Sequence, residues 1–260
     1  MILEKILHQK KQVVELEKAA MPLHRIFSIL EKGRKARNFH QAIKGKKGLS
    51  IIAEVKKASP SKGVIREDFS PLEIAQIYTQ SKVEAISVLT EEHFFQGKNQ
   101  YVEQIREITE IPLLRKDFIM DPYQIYQSKA LGADAVLLIA AALSLKKLNE
   151  FQRIAGEVGL QCLVEVHDEE ELETALKAQA SIIGINNRNL KTFETSVETT
   201  GRLMDKIPKG KTIISESGIH SRADMAYLEA LGIDGVLIGE SLMRSHAIDE
   251  KIRELRGEQN

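Results

Sequence analysis

At 260 residues the chain is long enough to bury the core of one α/β barrel or of two small domains. Its 37 Lys+Arg balance 37 Asp+Glu, which gives no support for a nucleic-acid or anionic-membrane surface and leaves a small phosphate as the anion a local basic pocket would take. The single cysteine, Cys162, excludes an internal disulfide framework and a cysteine zinc site and suits a reducing compartment; sharing a strand face with Val164 and Val166, it reads as a packed thiol.

The chain opens with MILEKILHQKKQVVELEKAA, where Ile2, Ile6, Val13 and Leu16 alternate with charges as in an amphipathic helix, without the continuous apolar core of a signal peptide. No later stretch reaches the roughly 18 uninterrupted apolar residues of a membrane span, so a soluble, cytoplasmic protein is expected. IIAEV, residues 51–55, then reads as a buried strand. Its period of two sends Ile52, Glu54 and Lys56 to one face and Ile51, Ala53 and Val55 to the other, so two opposite charges meet at the strand end, beside a Ser-Pro-Ser-Lys-Gly loop. Seven more β-rich runs come after it: EAISVL from Glu84, IPLL from Ile111, AVLLI from Ala135, CLVEV from Cys162, SIIGI from Ser181, TIIS from Thr212 and GVLI from Gly235.

Helical patterns separate these runs. Ser70-Pro71-Leu72-Glu73 reads as a capping box with proline at the first helical position, Ser221 with Asp224 repeats that logic, and Asp121-Pro122 opens another helix. KALGADAVLLI and EALGIDGVLIG are near copies of a helix, a glycine stop at Gly132 or Gly232 and a buried strand. Eight alternating units imply parallel strands with right-handed crossovers that close without an edge, a (β/α)8 TIM barrel with an extra N-terminal helical segment. An open doubly wound sheet is the alternative, but the first strand runs into Ser-Pro-Ser-Lys-Gly where such a sheet would more often place a glycine-rich G-x-G-x-x-G turn. One domain is assigned, with residues 1–48 as the helical extension and 49–260 as the barrel.

Barrel enzymes carry their chemistry at the carboxyl ends of the strands, and here those ends are polar. The third runs into Lys116, with Leu114 and Phe118 on its face; the fifth places Leu163, Glu165 and His167 together. The sixth reaches Asn186 and Arg188, the seventh Glu216 and Ser217, and the eighth Gly239-Glu240. Together with Glu54 and Lys56, so many converging charges point to a catalytic mouth. Ser217-Gly218 and Gly239-Glu240, the latter opening a short ESLMR helix, would aim backbone N–H groups at one phosphate, with Lys56 or Arg188 adding charge. The seven histidines have no H-x-x-x-H or H-E-x-x-H spacing, so no metal site is indicated. His167 reads as a loop histidine satisfied by backbone groups, with substrate contact as the alternative. Asp117, on the face opposite Lys116, reads as an anchor for a helix or loop, and the acidic run 168–171 as a helix start favoured by the dipole.

IIAEVKKASPSKG, SVLTEEHFFQG, LLRKDFI, LVEVH, IGINNRNL, ISESGI and GVLIGESLMR, taken in order, resemble the motifs of the indole-3-glycerol phosphate synthase family of tryptophan biosynthesis along nearly the whole chain. Asn189, where that family more familiarly has aspartate, is a small departure. The resemblance implies ring closure, decarboxylation and dehydration of 1-(2-carboxyphenylamino)-1-deoxyribulose 5-phosphate, giving indole-3-glycerol phosphate, carbon dioxide and water, with no cofactor. By the same resemblance Lys116 would be the general acid at the carbonyl oxygen, Glu165 the acid/base partner in dehydration, and Lys56 the carboxylate-binding group, which would also be able to deliver a proton. Which lysine serves which step stays open. Glu54, Asn186 and Glu216 would orient linker hydroxyls and lysines, Arg188 would position the aromatic acid, and Ser59, Phe95 and Phe118 would contact substrate. Ser217, Gly218, Gly239 and Glu240 would cradle the phosphate, the last two through backbone groups, and the N-terminal helices would help cover the mouth. The implied partner is a phosphorylated small molecule, with neither nucleic acid nor membrane; association with other tryptophan-pathway enzymes is not readable.

A strand-end lysine facing a sugar carbonyl also suits a Schiff-base aldolase, which borohydride trapping on Lys116 would reveal. A non-catalytic phosphate-binding barrel is the third alternative, and it would need neither Lys116 nor Glu165.

Overall fold

A computed structural model describes residues 2–31, 33–45, 48–189 and 192–258 of the chain. Met1, in the N-terminal helical stretch, and Leu190, in the IGINNRNL motif, lie outside the described residues. Eight parallel strands form a closed barrel: β1 Ser50–Val55, β2 Ala85–Leu89, β3 Leu113–Lys116, β4 Ala135–Ile139, β5 Gln161–Val166, β6 Ile182–Asn186, β7 Thr212–Glu216 and β8 Gly235–Ile238. Each strand pairs with the next and β8 closes on β1, with Ser50 opposite Gly235. The expected (β/α)8 barrel is therefore present, with every expected strand within two residues of its place.

Alternation sorts the apolar residues into two cores. Ile52, Leu114, Leu137, Leu163, Ile214 and Leu237 point inward and fill the barrel, while Ile51, Val88, Val136, Val164, Ile183 and Val236 point outward against the helices. Each such side chain contributes on the order of 1.5–3 kcal/mol on burial, so a one-residue register slip would invert a whole strand and is strongly disfavoured. Ahead of the barrel come α1 Ile2–Ala20, α2 Leu23–Leu30 and α3 Phe39–Ile43. Phe39 and Ile43 are fully buried in the inner core, so α3 plugs the amino end of the barrel.

The helices between strands are α4 Pro71–Gln80, α5 Asn99–Ile108, α6 Pro122–Ala130, α7 Leu145–Glu157, α8 Glu169–Lys177, α9 Glu198–Met204 and α10 Arg222–Ala230; α11 Glu240–Arg244 and α12 Ile248–Arg256 come after β8. Capping boxes form at Asp121 with Gln124 and at Ser221 with Asp224. The box expected at Ser70 does not form, although Pro71 does open α4. Ser70 has ψ 100°, against 158° and 164° at Ser144 and Ser221, whose hydroxyls do cap; Asn38 caps α3 at ψ 93° with a longer side chain, so at this backbone angle it is the short serine hydroxyl that makes no cap bond. The near-copied units also share a bond that joins neighbouring strands: Asp134 accepts the Leu113 N–H and Asp234 the Ile213 N–H, at 2.8 and 2.9 Å.

The stretch after β1 is more ordered than a plain loop. Ala58–Ser59 pairs antiparallel with Gly63–Val64 in a short hairpin, and Gly63, at φ +64°, supplies its left-handed residue. At the same end of the barrel α1 is tied down by polar contacts, of which the first is buried. Lys10 Nζ lies 2.7 Å from Asp117 Oδ1, Lys18 pairs with Asp121 at 2.7 Å, and the Tyr123 hydroxyl donates to the carbonyls of Glu17 and Met21. Asp117, which also pairs with Arg115 at 3.1 Å, is thus the expected anchor. Burial would raise its carboxyl, but Lys10 and Arg115 outweigh that and hold it at about 2.

Candidate active site

The inward-facing ends of five strands deliver one connected group of charges. Glu54, the fifth residue of β1, is 4% exposed and its Oε2 lies 2.6 Å from Lys56 Nζ. From β3, Lys116 Nζ donates to Glu165 Oε2 of β5 at 3.0 Å and pairs with Glu216 of β7. Asn186, ending β6, hydrogen-bonds Glu165 through its side chain. Every one of these positions continues the face occupied lower in its strand by a barrel-core residue, which is why period-two reading of the sequence finds them.

Three carboxylates, of Glu54, Glu165 and Glu216, share this space with the ammonium groups of Lys56 and Lys116. Burial alone would lower the Lys116 ammonium, but Glu216, Glu165 and Glu54 outweigh it and hold it above the ordinary lysine value. Burial would raise Glu165, yet Lys116 and His167 pull it well below the usual carboxylate range. Glu216 goes the other way: burial raises it, and Glu165 and Glu54 add to that rise against the pull of Lys116. Two carboxyls pushed apart around one ammonium is an arrangement suited to moving protons.

One cavity takes in this group. Phe95 and Phe118 form an apolar wall, their ring centroids 6.0 Å apart and tilted by 40°. Ser217, Gly218, Gly239 and Glu240 line it as well, so the two loops expected to hold phosphate open into the same space as the charges. Ser59 lines it from the hairpin, and its buried hydroxyl has no hydrogen-bond partner among the described residues. Arg188 lines it while donating to Ser61 Oγ at 2.5 Å and to Glu240 Oε2 at 3.0 Å, which links the loops after β1, β6 and β8. Since Arg188 and Arg244 occupy the Glu240 carboxylate, that residue has its backbone N–H left to offer an anion. Ile2, Leu3 and Ile6 of α1 also line it.

Three further residues escaped the sequence reading. A Cβ built on Gly184 of β6 would overlap Glu216 Oε1, so the glycine makes room for the carboxylate to lean towards Lys116. Asn187, 2% exposed, donates to the Ser217 carbonyl at 2.9 Å and to Ser215 Oγ at 2.8 Å, and accepts from Thr200 Oγ1 at 2.8 Å. It thereby steadies a turn in which Ser217 and Gly218 both have positive φ, of 67° and 79°. Such a conformation costs a non-glycine residue on the order of 1–3 kcal/mol. Glu171 is the third: it bonds the ring of His167, which is therefore satisfied by a carboxylate instead of by backbone groups alone. Only the outward direction of Asn187, directly after a strand that reads mostly apolar, could have signalled a buried network.

Gly239 yields an expected result. A Cβ there would overlap Glu54 Oε2 and come within 2.9 Å of Lys56 Nζ. Gly239→Val should therefore weaken inorganic phosphate as a competitive inhibitor and lower turnover together. Unchanged phosphate affinity in this variant would remove the loop after β8 from the anion site.

Burial pushes the Cys162 thiol up to about 12, in keeping with a packed, unreactive side chain. Among the described residues no group of three or more His, Cys, Asp or Glu is placed to hold a metal ion, and no helix is long and apolar enough to cross a membrane.

The sequence model of a family described as indole-3-glycerol phosphate synthase matches residues 3–255. The chain is 57% identical over 256 residues to the indole-3-glycerol phosphate synthase of Alkaliphilus metalliredigens, covering 98% of each chain. It is 51% identical over 260 residues to that of Caldanaerobacter subterraneus, covering 99% of this chain and all of the relative, 100%. Among solved structures, 3-hexulose-6-phosphate synthase from Salmonella typhimurium superposes with a TM-score of 0.66 at 16% identity, over 80% of this chain and 97% of that one; this likeness is one of fold.

Proposed function

Because the chain belongs to the indole-3-glycerol phosphate synthase family, we propose that its barrel mouth closes the indole ring of 1-(2-carboxyphenylamino)-1-deoxyribulose 5-phosphate, with loss of carbon dioxide and water. The observation that carries this reading is the joining of Lys116, Glu165 and Glu216 in one hydrogen-bonded group, inside a cavity that also holds an aromatic wall and two glycine-bearing loops. Phosphate in the loops after β7 and β8 and the anthranilate ring against Phe95 and Phe118 would stretch the linker across the charges. Lys116, kept protonated by its carboxylates, then delivers a proton to the carbonyl oxygen as the ring carbon attacks. Carbon dioxide departs as aromaticity is restored, and Glu165 serves the dehydration, moving protons between the ring and the departing hydroxyl. Glu54 and Glu216 hold the two lysines, Asn186 holds Glu165, and Arg188 and Ser59 contact the substrate. The same surroundings weaken the aldolase alternative, because a Schiff base needs a neutral amine and Lys116 is held as the ammonium.

A cytoplasmic location, and a single barrel domain with residues 1–48 as its extension, belong to the same proposal. Contacts of α1 with Asp117, Asp121 and Tyr123 support that assignment of the extension. The test is steady-state turnover of the carboxyphenylamino-deoxyribulose phosphate, monitored by the fluorescence of the indole product. Absence of product from the folded protein would refute it.

Lys56 has two readings that substitution separates. If it only binds the departing carboxylate, Lys56→Arg keeps the charge and much of the activity; if it also gives up a proton, a guanidinium that stays protonated fails. We expect the arginine variant to fail in turnover. Single-turnover kinetics decide the point, since wild-type rates of both ring closure and dehydration would leave Lys56 a binding role alone.

A further inference from the structure

His167 comes directly after β5 and stands behind Glu165, outside the lining of the cavity, with its side chain 9% exposed. Its Nδ1 lies 2.9 Å from Glu171 Oε2, and the same oxygen accepts the His167 backbone N–H at 2.9 Å. An oxygen already accepting that bond presents an acceptor to the ring, so Nδ1 carries the hydrogen. The other nitrogen, Nε2, is buried with no hydrogen bond of its own among the described residues and stands 3.4 Å from Glu165 Oε1. In a neutral ring Nε2 would turn a lone pair toward a carboxylate; in an imidazolium it turns an N–H toward it.

The charges around the site favour the second state. Both ring nitrogens face a carboxylate, Nδ1 at 2.9 Å from Glu171 Oε2 and Nε2 at 3.4 Å from Glu165 Oε1, and only an imidazolium offers an N–H to each. The groups facing the ring are Glu165 on β5, Glu171 on α8 and Glu216 on β7. Burial would lower His167, but the Glu171 hydrogen bond and these three charges outweigh it and hold the ring above the usual histidine value.

The inference rests on the synthase reading, whose proton count creates a need for such a group. Ring closure puts one proton on the carbonyl oxygen, and departure of carbon dioxide from a carboxylate returns none. Dehydration puts one proton on the leaving hydroxyl and releases one from the ring. Each turnover therefore consumes one proton, in a cavity partly covered by α1. We propose that His167 is a positioning residue that acts through Glu165 and stores this proton. Nε2–H passes to Glu165 Oε1 and the Glu165 carboxyl passes a proton on to the Lys116 amine, which has given its own to the carbonyl oxygen; the neutral ring remains on Glu171 through Nδ1–H, and Nε2 regains a proton from water between turnovers. Hydrogen bonds of this kind are often long before substrate binds and tighten in the complex, which suits the 3.4 Å approach.

The test combines histidine-selective 15N NMR titration of the free protein with pH profiles of kcat. The His167 signal, assigned by its loss in His167→Gln, should titrate above the ordinary histidine value of about 6.5 and move to lower pH in Glu171→Gln. In the wild type kcat should fall as rising pH removes the imidazolium. In His167→Gln that limb should vanish and kcat should drop at least about tenfold with KM within about twofold, as for loss of a proton-transfer group. A His167 signal titrating at or below the ordinary value, or a His167→Gln protein with wild-type kcat and pH limb, would overturn the proposal. Should His167→Gln fold poorly, Glu171→Gln carries the decision: a titration left where it was in that variant also overturns it. The titration needs no substrate, so a wild-type protein without turnover would count against the synthase reading while the histidine is still tested.

Discussion

Lys116→Ala is expected to cut kcat by about 10²–10⁴, the range for one positioned acid, and to stop the reaction before carbon dioxide is released. The ammonium is the group through which Glu165 and Glu216 are joined, and it is held protonated, so its loss removes both the proton proposed for the carbonyl oxygen and the link between the two carboxylates. Left facing each other, those carboxylates need not both stay ionised, because a shared proton relieves the repulsion. The fold should therefore survive, and substrate binding, which the proposal assigns to the loops after β7 and β8 and the aromatic wall, should weaken less than turnover. Rapid-quench measurement of carbon dioxide in a single turnover checks the point. A Lys116→Ala protein with wild-type turnover, where chemistry is shown to limit the rate, would withdraw the residue from its role.

Glu165→Gln should lose about as much in kcat, again about 10²–10⁴, but at a later step. The amide keeps the size of the side chain and an oxygen to accept from Lys116, while Glu216 still neutralises the ammonium, so the acid proposed for the carbonyl oxygen remains in place. Carbon dioxide should then appear in a first turnover without indole fluorescence, as the hydroxylated ring accumulates for want of its dehydration partner. If Lys116→Ala and Glu165→Gln stop at the same step, the division of labour between the two residues is wrong.

Much of this site was legible because strand periodicity and barrel geometry act together. Glu54, Lys116, Glu165 and Glu216 each sit on a face whose earlier residue is an inner-core Ile or Leu, so their direction comes from counting by twos. Their convergence comes from eight units closing on themselves. The features that escaped depend on distances that no local pattern encodes. Gly184 reads as a weak point of a strand, and its purpose appears only when Glu216 from the neighbouring strand leans over it. Asn187 points away from the cavity and acts through the Ser217 carbonyl, 30 residues further on. The Lys10 and Asp117 pair joins the first helix to the third strand end across the whole of β1 and β2. Glu171 looked like a helix-start acid, and Asp168 does cap α8, but the side chain of Glu171 turns back to His167. Ser70 had the right neighbours for a capping box, but at its ψ of 100° the short hydroxyl makes no cap bond, which composition does not reveal.

The central claim is that one cavity couples ring closure to decarboxylation, and its most direct test tracks both products from a substrate labelled at the carboxyl carbon. The account predicts one labelled carbon dioxide for each fluorescent indole product from the wild-type protein, and neither from Lys116→Ala within the same time. Turnover without carbon dioxide, or borohydride trapping of the substrate on Lys116, would contradict it.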